Sequence, residues 1–156
     1  MLNGKKVLLI ITGGIAAYKS LELVRKLKEK GADVIPVMTK AAENFVTPMS
    51  VSALAQEKVF NKLFDLTDEA EMGHIELSRS SDLIIVVPAS ADFIAKTATG
   101  QANDLASTLI LATDTKVLMA PAMNVRMWEN PLTQKNIKIL HNNGVKFVGP
   151  DEGEMA

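Results

Sequence analysis

The chain has 156 residues, 47% of them hydrophobic, which suits a single domain with a sizeable buried core. Its 17 basic and 18 acidic residues give a formal net charge of −1, which argues against nucleic acid or an anionic membrane as a partner. Absence of cysteine excludes disulfides, iron–sulfur clusters and thiolate zinc within these residues. His74 and His141 are too far apart in sequence to indicate a metal site. No apolar run approaches the roughly 20 residues that span a bilayer, so we expect a soluble, cytoplasmic domain.

Short apolar runs punctuated by glycine and proline predict buried strands. The first run covers residues 5–12 and ends at Gly13 and Gly14. A helix is predicted from about Ala17 to Lys30, with a glycine stop directly after it. Four more strands are predicted at residues 34–38, 82–87, 116–119 and 146–148, the third of the five ending before a proline.

Alternation of strands and helices indicates the fold class. Asn130 and Pro131 are suited to begin a late helix that Gly144 ends. Residues 57–73 are polar and irregular, and we predict that they leave the sheet. The pattern predicts a three-layer α/β fold, a Rossmann-like parallel sheet with helices on both faces.

Ligands of such sheets bind outside the carboxyl ends of the strands, which selects four loops. These are residues 12–15, 38–40, 88–92 and 121–124, and we expect them to line one site. Thr39 and Ser90 supply neutral hydroxyls that suit a mononucleotide phosphate and polyol, although each alone is more typical of a helix cap. The glycine turn lacks G-x-G-x-x-G, and Thr39 stands where a ribose-binding acid would be needed. A nicotinamide-binding domain is therefore disfavoured.

Five motifs carry a resemblance to a known family. They read T-G-G-I-A-A-Y-K at 12–19, M-G-H-I-E-L at 72–77, P-A-S-A-D at 88–92, A-N-D-L at 102–105 and P-A-M-N-V-R-M-W at 121–128. Together they resemble the flavin-containing cysteine decarboxylases. The most similar branch is the phosphopantothenoylcysteine decarboxylases, particularly the N-terminal half of bifunctional bacterial coenzyme A biosynthesis proteins. The resemblance covers essentially the whole chain and implies one FMN-binding decarboxylase domain over residues 1–156.

The resemblance implies FMN as the cofactor, bound between subunits of a homotrimer that can assemble further, up to a dodecamer. It assigns cofactor contacts to Gly13, Gly14, Ile15, Thr39, Ser90, Ala91, Asp92, Phe93 and Met123. Asp92 and Phe93 stand where this family usually has Asn and Thr. An anionic Asp92 is not expected to touch a flavin phosphate directly.

The resemblance also implies the residues of the reaction. His74 matches the family's active-site histidine, and imidazole exchanges protons near neutral pH. From sequence alone, a surface or capping histidine would be the commoner interpretation. Asn124 matches the residue that holds the substrate carboxylate, and Met127 lies in the same substrate clasp. An amide donates to a carboxylate without the strong attraction of Arg. His141 is expected only to face solvent or the end of its helix.

The implied reaction is decarboxylation of 4′-phosphopantothenoylcysteine to 4′-phosphopantetheine in coenzyme A biosynthesis. Flavin oxidation to a thioaldehyde, loss of CO2 and re-reduction would supply the electron sink that a cysteine carboxylate lacks. In the resembled family a flap after the last strand carries a proton-donating cysteine, within Ala-Cys-Gly. We expect this sequence, which ends in Glu154-Met155-Ala156, to stop before that flap and any ligase domain, and therefore to stall before the final reduction.

Three alternatives remain open. A peptidyl-cysteine decarboxylase is the one that the sequence excludes least firmly. A flavin prenyltransferase would have an Arg-Glu-x-Pro block where this chain has residues 121–124. A non-catalytic FMN-binding regulatory subunit would have no need of both His74 and Asn124.

Overall fold

A five-stranded parallel sheet forms the centre of the molecule, with the strand order β2-β1-β3-β4-β5. The computed structural model describes residues 1–62 and 76–151. The strands are β1 (Lys6–Ile11), β2 (Asp33–Met38), β3 (Leu83–Ala89), β4 (Val117–Pro121) and β5 (Lys146–Phe147). The predicted α/β class with a parallel sheet is confirmed.

Helices cover both faces of this sheet. They are α1 (Tyr18–Glu29), α2 (Pro48–Ala55), α3 (Ala91–Ala98), α4 (Leu105–Ala112), α5 (Val125–Glu129) and α6 (Pro131–Asn142), and residues 76–80 are also helical. Short 3-10 turns, Ile15–Ala17 and Ala41–Asn44, follow the first two strands. The predicted start of α6 is confirmed, because the Asn130 side chain accepts from the Leu132 backbone N–H at 2.9 Å. None of the described helices is long and apolar enough to cross a membrane.

Alternate residues of β1 belong to two separate cores. Leu8 and Ile10 pack on one face with residues of α3, α4 and α6. Leu9 and Ile11 pack on the other face with residues of α1 and α2. Because side chains alternate along a strand, burial of both faces requires the continuous apolar run seen in the sequence.

A crevice opens where the connections of two neighbouring strands diverge. The chain leaves β1 for α1 on one face of the sheet, whereas it leaves β3 for α3 on the opposite face. Because β1 and β3 lie side by side, a ligand can enter between the loops at their carboxyl ends.

Two predicted strand ends were too early. Pro88 does not end β3, which continues to Ala89, and β4 includes Pro121. The register between β3 and β4 shifts between Val86 and Ala89, and such an irregularity accommodates a residue without an N–H.

The segment after α2 starts against the sheet, contrary to the prediction that it leaves the sheet from residue 57. The Phe60 N–H donates to the Pro36 carbonyl at 3.0 Å, and its carbonyl accepts from the Met38 N–H at 3.0 Å. Phe60 thus covers the outer edge of β2, where a proline is tolerated. Residues 63–73 of the predicted excursion lie outside the described residues.

Candidate functional site

A cleft of about 370 Å³ lies at the carboxyl ends of β1, β2 and β3. Its volume is within the usual range for small-ligand sites. Seven of the predicted residues line it: Thr12, Gly13, Thr39, Lys40, Ser90, Asp92 and Phe93. The first three predicted loops therefore meet in one place.

The buried Thr12 side chain ties the loop after β1 to the end of β3. Its Oγ1 donates to the Pro88 carbonyl and accepts from the Ser90 N–H at 3.0 Å. The loop after β2 is joined to β1 by the Thr39 N–H, which donates to the Ile11 carbonyl at 3.1 Å. The three loops are consequently held together by hydrogen bonds of the chain itself.

The two glycines after β1 differ in their surroundings. A Cβ at Gly13 would lie 2.5 Å from the Cβ of Ala41, so the first and second loops approach too closely for any other residue. A Cβ at Gly14 would meet only the Pro88 Cγ, at 3.9 Å. Gly14 has extended backbone, and no side chain caps the turn that it begins. Gly13 therefore serves loop packing, and Gly14 leaves open space beside uncapped N–H groups that suit an anion.

Both predicted hydroxyls act as caps while lining the cleft. The Ser90 Oγ accepts from the Phe93 N–H at 3.1 Å at the start of α3. The Thr39 Oγ1 accepts from the Ala42 N–H at 3.2 Å. A hydroxyl that accepts a capping bond still has its own O–H to donate. Capping and ligand binding are therefore compatible at both positions.

The first turn of α3 carries the remaining residues of the third loop. Ala91 is half-buried, and Phe93 is buried among the residues of the α3, α4 and α6 core. Asp92 is exposed and lies 3.8 Å from Lys96, measured between carboxylate oxygen and ammonium nitrogen. Phe93 therefore forms an apolar floor, and Asp92 lies at the rim with a cation beside it.

The fourth loop lies next to the cleft and does not line it. The Ala122 N–H donates to the Ala89 carbonyl at 3.2 Å, which ties this loop to the end of β3. Asn124 begins α5, and its Oδ1 accepts from the Met127 N–H at 2.9 Å. This bond engages the amide oxygen, so the Nδ2 group is the remaining donor of the side chain. Asn124 and Met127 are exposed, and Met123 packs half-buried against the core.

Sequence reasoning missed four residues of the cleft: Ala41, Asn44, Lys96 and Asp104. Lys96 follows Asp92 by four residues, which places both on one helix face, but this spacing is equally typical of a solvent-exposed ion pair. Ile15, a predicted cofactor residue, is 65% exposed and outside the cleft lining. His141 is exposed in the last turn of α6. His74 lies outside the described residues.

The arrangement fits a phosphorylated flavin. The hydroxyls of Thr39 and Ser90 line the cleft and can donate to phosphate and polyol oxygens. Gly14 is not among the lining residues, but it follows Gly13 directly, and the uncapped N–H groups of its turn can donate as well. Lys40 and Lys96 bring positive charge to the cleft, which also contains Asp92 and Asp104, and Phe93 supplies an apolar surface. The donors and positive charges therefore suit the phosphate and polyol of FMN, and the apolar surface suits its ring.

Comparisons with curated proteins identify long bifunctional relatives. The chain is 52% identical over 155 residues to the coenzyme A biosynthesis bifunctional protein CoaBC of Vibrio vulnificus (strain YJ016), covering 99% of this chain and 39% of that protein. It is 42% identical over 156 residues to CoaBC of Bacillus subtilis (strain 168), covering 100% of this chain and 38% of that protein. The chain thus spans about two fifths of the length of these relatives.

Solved structures share the fold. The FMN-dependent cysteine decarboxylase SpaF superposes with a TM-score of 0.88 at 29% identity, covering 98% of this chain and 88% of that one. A PPC decarboxylase variant complexed with pantothenoylaminoethenethiol gives a TM-score of 0.82 at 28% identity, covering 94% and 82%. The model of the Flavoprotein family matches residues 1–156. With its cleft at the divergence of β1 and β3, the chain belongs to the Flavoprotein family.

Proposed function

We propose that this chain forms an FMN-dependent decarboxylase domain of coenzyme A biosynthesis. The domain releases CO2 from 4′-phosphopantothenoylcysteine, the decarboxylation that leads to 4′-phosphopantetheine. The observation that carries the proposal is the cleft between the loops after β1, β2 and β3, in a chain 52% identical to a CoaBC protein. The neighbour complexed with pantothenoylaminoethenethiol supports the same substrate class.

The cofactor of the proposed domain is FMN, and the chain's own groups suit its two ends. The open side of Gly14 allows close approach of a ligand to the backbone. Ser90 and Thr39 donate their hydroxyls to polyol or phosphate oxygens. When bound, FMN supplies reversible two-electron chemistry, which a cysteine carboxylate needs because it has no electron sink of its own.

Asn124 orients the substrate carboxylate in this proposal. Its Oδ1 is held by the Met127 N–H, so the Nδ2 group is fixed as a donor. A neutral amide binds a carboxylate yet does not oppose its departure as neutral CO2 as strongly as a cation would. Met127, exposed on the following turn, contributes an apolar contact to the same substrate.

His74 moves a proton to or from the substrate in this proposal. Support comes from the Met-Gly-His-Ile-Glu-Leu motif at residues 72–77, which matches the resembled family. Imidazole exchanges protons near neutral pH without a large perturbation by its surroundings. Its last two residues, Glu76 and Leu77, belong to the helical residues 76–80.

A homotrimer completes the site in this proposal. Ile15 is 65% exposed and Met127 is 44% exposed, although both are assigned to ligand contacts. Large apolar side chains at a ligand site are usually covered, so their exposure in one chain supports a neighbouring copy over them. Light scattering after size exclusion measures the assembly, and a stable monomer that binds FMN at full occupancy would contradict it.

The decisive experiment measures CO2 release in a single turnover by the FMN-loaded chain. CO2 should form from 4′-phosphopantothenoylcysteine and not from a peptide ending in cysteine. CO2 formation from the peptide alone would identify a peptidyl-cysteine decarboxylase. Prenylation of the flavin by a prenyl phosphate would identify a prenyltransferase, and FMN binding without any turnover would favour a regulatory subunit.

A second experiment tests His74 through His74→Asn. We expect the variant to retain the visible flavin spectrum and to lose CO2 release by about 100-fold or more, because general acid–base catalysis contributes that much. His141→Asn is the matched control and should release CO2 at the normal rate. Normal turnover by His74→Asn would remove the residue from the reaction.

A further inference from the structure

Equal numbers of positive and negative side chains line the cleft, but these side chains differ in the groups that they already contact. Two lysines, Lys40 and Lys96, face two carboxylates, Asp92 and Asp104. A phosphate monoester is drawn to this cleft only if positive charge remains available after the internal pairs are counted. The partners of each group therefore decide what the cleft binds.

The Asp104 carboxylate already caps the N-terminus of its own helix. It begins α4, and its Oδ1 accepts from the Ser107 N–H at 2.8 Å and from the Ser107 hydroxyl. A carboxylate in this position is stabilised by the positive end of the helix and needs no lysine. Asp104 therefore leaves the ammonium of Lys96 free for another partner.

Asp92 holds Lys96 only weakly. The pair is separated by 3.8 Å, and the Asp92 side chain is 81% exposed, so water screens the attraction. The Lys96 side chain is only 25% exposed and belongs to the cleft lining. Its ammonium consequently retains donors for a stronger anion than Asp92.

The helix directs the Lys96 side chain toward the loops that line the cleft. Long side chains on a helix extend toward its N-terminus, and the N-terminus of α3 is capped by Ser90. The ammonium lies 3.8 Å from the carboxylate of Asp92, which is one turn nearer to that N-terminus, so the side chain of Lys96 does extend in this direction. The ammonium is thereby brought toward the positive end of α3, which adds its own attraction for an anion.

We propose that Lys96 makes the cleft selective for a phosphorylated flavin over the unphosphorylated one, by pairing its ammonium with the phosphate monoester. The inference rests on the proposed function and adds the residue that distinguishes FMN from riboflavin. It also accounts for an acidic residue beside the flavin loop, since Lys96 offsets the negative charge there.

The test compares the dissociation constants of FMN and riboflavin for the flavin-free chain, measured by fluorescence quenching. Lys96→Met should weaken FMN binding by about tenfold or more and leave riboflavin binding within about twofold, because a charged hydrogen bond to phosphate is lost. Lys96→Arg should recover most of the preference for FMN. Lys40→Met is the matched comparison: Lys40 lines the same cleft but is exposed, so its effect should be less than about threefold.

Each result has a distinct meaning. Equal weakening of both flavins by Lys96→Met would make Lys96 a structural residue and overturn the inference. An equal or larger loss of preference in Lys40→Met would assign the phosphate to Lys40 and overturn it too. Absence of binding of either flavin by the unaltered chain would overturn the proposed function and this inference together.

Discussion

The cleft and the Asn124 loop (residues 122–127) lie at the same edge of the sheet but are built differently. The cleft is formed by three loops that hydrogen-bond to one another through Thr12 and Thr39. The Asn124 loop is tied to its neighbour by the Ala122 N–H and is otherwise exposed from Asn124 to Met127. The cleft proposed for the cofactor is thus organised by bonds within one chain, whereas the loop proposed for the substrate is exposed in it. Substitutions in the cleft should therefore change FMN binding, and substitutions in the Asn124 loop should change turnover.

The largest expected effect belongs to the Asn124 loop. Asn124→Asp keeps a good cap for α5 but places a carboxylate against that of the substrate. We expect single-turnover CO2 release to fall by about 100-fold or more, with FMN affinity and thermal stability unchanged. Asn124→Ser, which also caps but carries no charge, should lose only about tenfold.

Substrate binding separates the possible outcomes for Asn124. If Asn124→Asp bound and decarboxylated the substrate at the normal rate, the carboxylate would have to be held elsewhere. If the substitution lowered FMN affinity, the Asn124 loop would also contribute to FMN binding, and the two regions would not have separate roles.

A second pair of variants tests the cleft through its glycines. Gly13→Ala would force Cβ atoms to 2.5 Å, so we expect the free energy of unfolding to fall by about 1–3 kcal/mol. Gly14→Ala meets only ordinary contacts and should change it by less than about 0.5 kcal/mol.

FMN affinity provides the second measurement for this pair. Gly14→Ala should weaken FMN binding despite its normal stability, because its methyl group would occupy the open side of the turn. Urea unfolding without cofactor and fluorescence titration with FMN measure the two effects. Equal destabilisation by both variants would mean that Gly14 also serves packing between loops.

The smallest expected effect concerns Ser90. Ser90→Ala removes the cap of α3 and should lower the free energy of unfolding by about 1 kcal/mol. Ser90→Asp retains a capping oxygen but adds a negative charge to the cleft, so stability should hold while FMN affinity falls. Thermal unfolding and FMN titration check these results, and undiminished FMN binding by Ser90→Asp would place the phosphate away from α3.

The sequence predicted the sheet well because its strands are buried on both faces. Residues of β1 and β3 form continuous branched runs, which are typical of the inner strands of a parallel sheet. Helix α2 was not predicted because its small, weakly patterned residues lack a helical period, although Thr47 and Pro48 mark its start. The ends of β3 and β4 were predicted too early because a proline in the sequence usually indicates the end of a strand. Here the prolines are tolerated at an irregularity of the sheet.

The candidate site could likewise be predicted only in part. Loops at strand ends could be selected from the sequence, since parallel topology brings their carboxyl ends to one edge. Lys96 could not, because a lysine on a helix usually belongs to a solvated face. Its membership of the cleft depends on which way α3 lies against the sheet, and that is decided by packing between α3 and α6.

The Thr12 hydroxyl has a consequence for the time at which the protein gains its cofactor. Its bonds reach Pro88 and Ser90, which are 76 and 78 residues away along the chain. A growing polypeptide cannot close the loop after β1 until β3 has emerged and docked beside β1. Because a ligand that binds only the native state adds its binding energy to folding, FMN can stabilise this protein only after that point. FMN binding would therefore mark a late step of folding. During synthesis the apoprotein must reach that step without stabilisation by its cofactor.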